Sequence, residues 1–107
     1  MISLTNEADW MLCEVYAEYI ARRKRGIAKR QAVNFLKIDD LQDLLPTWSS
    51  DDILSVISEL SRAGLVKAFL RSGFILGDKA IIYMENRFKN NLSSVLDNIT
   101  KLKSILL

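Results

Sequence analysis

The residues best equipped for chemistry in this 107-residue chain are cations. Arg22, Arg23, Lys24, Arg25, Lys29 and Arg30 fall within nine positions of the stretch YIARRKRGIAKRQAVNF, which holds no acidic residue. At that density they suit phosphate: neutralising ~4 to 6 phosphates gives strongly salt-dependent, largely sequence-independent affinity. The same run also suits a solvated helix end, where cations meet the negative end of the macrodipole and Gly26 accepts the left-handed conformation that follows. A third use is attraction to acidic surface. Asp39, Asp40, Asp43, Asp51, Asp52 and Glu59 lie in a stretch with no Lys or Arg before Arg62, so opposite signs occupy adjacent blocks.

Other chemistry is scarce. The chain has no histidine and one cysteine, which removes every His/Cys zinc pattern and every Ser-His-Asp or Cys-His arrangement. Gly26, Gly64, Gly73 and Gly77 are too far apart for a phosphate-cradling loop. Asp39-Asp40-x-x-Asp43 superficially resembles a magnesium motif, but without a phosphate pocket it reads as the acidic first turn of a helix. Cys13 reads as a small buried side chain, and Trp10 and Trp48 as fillers of a core or interface. The expectation is a non-enzymatic protein with no cofactor and no metal.

A chain of this length suits one domain, and a 50% hydrophobic composition leaves enough apolar material for a core. The Met-Ile-Ser-Leu-Thr start lacks the regions of a signal peptide, and no apolar run approaches the ~20 residues that span a bilayer. A cytoplasmic protein without a membrane segment is expected.

The elements that would position the cations follow from periodicity and caps. Thr5 or Asn6 caps a first helix running to about Arg25, with Ala8, Leu12, Val15, Tyr16 and Tyr19 facing the core. Trp10, Cys13 and Ala17 lie on another side of that helix, which implies a second cover. Lys29 to Phe35 reads as a short helical piece. Ile38 to Leu45 reads as a short helix stopped by Pro46, and Ser49 or Ser50 caps a helix with Ile53, Val56, Ile57 and Leu60 inward and Gly64 beyond its end. Two helices joined by a tight turn form a helix-turn-helix unit. Leu65 to Arg71 and Phe74 to Leu76 form a hairpin around Ser72-Gly73.

From about Asp78, Ile81, Phe88, Val95 and Leu102 repeat every seven residues, accompanied by Leu92, Ile99 and Leu106, with Glu85 the exception. This is a heptad seam. A single helix to the end of the chain would be roughly 40 Å long at ~1.5 Å per residue, too long to pack only on a core this small. It calls for a second copy or for helix one.

The order helix, helix, turn, helix, two-stranded wing, long helix, together with Leu60-Ser61-Arg62-Ala63-Gly64-Leu65-Val66 and the run Gly73 to Glu85, resembles small winged-helix proteins of Gram-positive bacteria and their phages. Gly77 and Ala80 stand where that family commonly has threonine and glycine. The resemblance implies a mainly α fold with a small β-hairpin: a winged helix-turn-helix core over residues 1–77 and a long C-terminal helix over 78–107, one domain overall.

It also implies a role in transcription regulation through DNA binding. Arg22, Arg23, Lys24, Arg25, Lys29, Arg30, Lys67 and Arg71 would hold phosphates, with Ser55, Ser58 and Arg62 as base readers. Against groove insertion, the outward face of the third helix carries Asp51, Asp52 and Glu59. The alternative is therefore a winged-helix adaptor that binds protein and not DNA. A homodimer is expected through Trp10, Cys13, Ala17, Ile81, Phe88, Leu92, Val95, Ile99, Leu102 and Leu106.

Overall fold

The computed structural model describes residues 2–69, 73–89 and 91–107. The chain is mainly helical with a small three-stranded antiparallel sheet. Helix α1 (Asn6–Lys24) begins where the Thr5 hydroxyl accepts the Ala8 N–H at 3.2 Å, and Glu7 and Asp9 occupy its positive end. Its buried residues, Ala8, Trp10, Met11, Leu12, Cys13, Val15, Tyr16 and Ile20, go most of the way round the helix. Such a helix must be covered on more than one side.

A short helix α2 (Lys29–Ala32) leads into strand β1 (Asn34–Phe35), then helices α3 (Ile38–Leu44) and α4 (Ser50–Arg62). Pro46 follows the end of α3, and the Ser49 hydroxyl caps α4 by accepting the Asp52 N–H at 3.1 Å. Ile53, Val56, Ile57 and Leu60 are the buried face of α4, as their spacing requires. At the other end of α4 the Lys79 ammonium donates to the Ala63 carbonyl at 2.9 Å, satisfying one of the carbonyls a helix C-terminus leaves open.

Strands β2 (Val66–Phe69) and β3 (Gly73–Leu76) pair antiparallel as expected, with Val66 opposite Leu76 and Phe69 opposite Gly73, while the expected tip at Ser72 lies outside the described residues. The sheet order is β1-β3-β2, so β3 is central. The short piece expected to be helical through Phe35 is thus helical only to Ala32. Asn34 and Phe35 instead pair with Ile75 and Phe74, which lets the fully buried Phe35 and Phe74 rings stack 5.5 Å apart.

The largest departure is at the C-terminus. The long helix expected over 78–107 is two helices, α5 (Asp78–Phe88) and α6 (Leu92–Leu106). Lys89 closes α5 in the left-handed conformation at φ 52°, and the Asn91 side chain caps α6 by accepting the Ser94 N–H at 3.3 Å. Folding back lays α6 along α1 and buries Val95, Ile99 and Leu102 to 5% exposure or less. The seven-residue period is real, but its apolar residues are covered inside one chain.

Among the described residues no helix is long and apolar enough to cross a membrane.

Two glycines separate conformational strain from crowding. Gly26 and Gly73 both have positive φ, +85° and +90°, but a Cβ at Gly26 would meet nothing within 4 Å whereas one at Gly73 would lie 2.1 Å from the Phe35 carbonyl oxygen. Gly26→Ala is expected to cost about 1 kcal/mol, the ordinary penalty for that conformation. Gly73→Ala is expected to cost well over that, because β1 must move. Urea denaturation of both variants checks the order; equal midpoints would refute it.

Candidate nucleic-acid interface

The six cations of the basic run do not form one surface. Arg22 points into the chain: its Nη1 donates to the carbonyls of Asn34 at 2.8 Å and Ala32 at 3.2 Å, its Nε lies 3.7 Å from the Glu18 carboxylate, and its guanidinium stacks 4.3 Å from the centre of the Phe35 ring. The side chain is 15% exposed. Arg22 therefore ties α1 to α2 and β1 and is not a free phosphate ligand. Arg23 Nη1 donates to the Ile27 carbonyl at 3.1 Å, closing the turn after α1. Arg25 sits at 4.0 Å from Glu18, the outer limit of an ion pair.

Lys24 and Arg30 are exposed and make no ion pair among the described residues. Lys29 pairs with Asp78 at 3.1 Å, both side chains more than half exposed, an arrangement that holds a lysine only loosely.

The fold does bring three cations together. Lys29 and Arg30 on α2 and Lys67 on β2 border one open concavity, lined also by Val33, Ile75 and Leu76 and by Asp78, the ion-pair partner of Lys29. The short α2 delivers the first two to the sheet, and the hairpin delivers the third. Sequence spacing gives no sign of this, because Arg30 and Lys67 are joined only by the β1-β3-β2 strand order. Lys37 and Arg22 border a different depression, and Arg23 and Lys24 a third beside Tyr16 and Tyr19. Arg71 lies outside the described residues.

Helix α4 offers a different surface. Asp51, Asp52, Leu54, Ser55, Ser58 and Arg62 are exposed on it. The Ser58 hydroxyl donates back to the Leu54 carbonyl at 3.1 Å, so its proton is already used within the helix. Glu59 is not a free carboxylate: it accepts the Thr5 N–H at 2.9 Å and the Thr5 hydroxyl at 2.8 Å, clamping the start of α1 to α4. That clamp removes one of three acidic groups from the outward face, but Asp51 and Asp52 remain at the helix start.

The residues expected at a dimer seam are buried against one another in one chain. Trp10, Cys13, Ile81, Val95, Ile99 and Leu102 are core, and Ala17, Phe88, Leu92 and Leu106 pack on it half-buried. The second cover of α1 is α6 of the same chain.

Polar side chains fix this contact. Arg87 at the end of α5 holds both Asp9 oxygens, one at 2.9 Å, and the Asn98 amide of α6 donates to the Cys13 sulfur at 3.3 Å. Burial, with the nearby Asp9 charge, pushes the Cys13 thiol up to about 12, and burial likewise pushes Tyr16 up to about 12. Cys13 is thus held protonated and unsuited to nucleophilic work.

Two outcomes are expected. Arg22→Gln removes charge-assisted bonds to two carbonyls and should cost about 1.5–3 kcal/mol, while Lys24→Gln should stay within about 0.5 kcal/mol; equal urea midpoints would contradict the division. Stability should also fall as pH rises from about 9 toward 12, because the unfolded chain releases the Cys13 and Tyr16 protons before the folded chain does. Tyr16→Phe should flatten part of that alkaline slope in urea titrations at stepped pH.

No protein-family model, curated protein or solved structure matches the chain.

Proposed function

We propose that this chain is a non-enzymatic, cytoplasmic winged-helix protein that binds DNA in a regulatory role, mainly through phosphates. The reading of the fold is supported by the element order, in which the helix pair α3–α4 precedes the β2–β3 hairpin and β1 completes the sheet. The observation that carries the binding is the convergence of Lys29, Arg30 and Lys67 on one concavity. Lys24 and Arg25 add exposed charge at the end of α1.

In this reading the wing and α2 face the phosphates and α4 stays out of the major groove. Asp51 and Asp52 would otherwise meet a polyanion at the helix start, where base-reading residues cluster. Affinity then comes from counterion release and carries little sequence information. Ser55 and Arg62 are not required as readers.

The adaptor alternative draws on a separate observation: α4 exposes Asp51 and Asp52 together with Leu54 at 44% exposure, a mixture suited to a protein surface.

Fluorescence anisotropy with a mixed-sequence duplex at ~50 and ~200 mM salt separates the readings. Three phosphate contacts imply a loss of affinity of roughly 40-fold across that range, from a log–log slope of about −0.9 per contact. The Lys29→Gln, Arg30→Gln, Lys67→Gln triple variant should lose binding and keep its fold. Absence of binding at ~50 mM salt, or undiminished binding by the triple variant, overturns the proposal.

A further inference from the structure

A cleft of about 210 Å³ opens between the first turns of α1, the α3–α4 connection and the end of α6. Its walls include Trp10 and Trp48, the two tryptophans of the chain, whose rings meet edge to face with centroids 5.4 Å apart and planes at 84°. Leu106 lines it on the α6 side, and the exposed carboxylates of Glu7 and Asp52 border it. Neither carboxylate is in an ion pair among the described residues. Trp10 is 4% exposed, yet its Nε1–H has no acceptor among the described residues.

We propose that this cleft binds a lysine or arginine side chain presented by an extended peptide segment of a partner protein. Each part of the site matches a part of that ligand. Glu7 and Asp52 neutralise the cation, and indole rings attract cations electrostatically. The aliphatic stem lies along Leu106.

The volume is below that of the usual small-molecule pocket and suits one side chain. Within the chain's own basic run Arg22 and Arg23 are tied to backbone carbonyls, which leaves Lys24, Arg25, Lys29 and Arg30 as the cations a second copy could offer. Docking one copy's basic end into another's cleft would be a head-to-tail contact that need not close. Peptide capture here is independent of DNA binding by the opposite charge on α2 and β2.

Both tryptophans line the cleft, so all indole emission reports on it. Titrating the full chain with the capped peptide acetyl-(Ala-Lys)3-amide should give a saturable change in tryptophan fluorescence, and acetyl-(Ala-Gln)3-amide should give none. The Glu7→Gln, Asp52→Gln double variant should bind the lysine peptide about tenfold more weakly, as expected for two exposed charge pairs. Glu7→Gln alone should lose about threefold, which keeps the test readable if the double variant does not fold. No saturable change with the lysine peptide, or an equal response from both variants, overturns the proposal. So does emission that shifts with protein concentration alone, which would place a second copy in the cleft.

Discussion

Everything else in the structure depends on the covering of α1. Apolar residues stand round most of that helix, and no single layer could bury them. Helix α4 takes one side, and α6 takes another by turning back at Lys89. The apolar contact is not left to slide: Asp9 grips Arg87 of α5, and Cys13 accepts from Asn98 of α6. A helix that would otherwise have needed a second molecule is closed within its own chain.

That closure determines what the basic run is able to do. The end of α1 must be joined to the sheet, and Arg22 makes the joint through two carbonyls and the face of Phe35. The run is therefore divided: Arg22 and Arg23 hold the turn and the sheet, whereas Lys24, Lys29 and Arg30 remain at the surface. The helix-end role is met by Arg22 and Arg23, and only the surface cations are left for the proposed phosphate contacts. Charge is separated as well, with cations at α2 and β2 and carboxylates at the starts of α1 and α4. Such a distribution suits a molecule that meets an anionic partner on one face and a cationic one on another.

The helical elements were legible because their signals are local. Thr5 and Ser49 cap where a hydroxyl before an acidic turn suggests, and the inward face of α4 follows from a 3.6-residue period. What escaped was set by contacts distant in sequence. Nothing near Asn34 announces a strand, since β1 exists only through pairing with Phe74 and Ile75. The α5–α6 break was harder, because the heptad period runs through it unbroken. Its marker was chemical: an asparagine able to cap, at position 91, three residues before Ser94. The Arg22 staple and the Lys67 approach to α2 had no local signal at all, and the Trp10–Trp48 cleft needed α6 in place before it could exist.

In the proposed binding mode phosphate is met by α2 and β2, and α4 stays out of the groove. Amide chemical-shift mapping of the labelled chain, with a mixed-sequence duplex added at low salt, tests it residue by residue. The expected result is a set of shifts concentrated at residues 24–31 and 66–69, with 51–58 unmoved. Shifts centred on α4, with α2 and β2 silent, would contradict it.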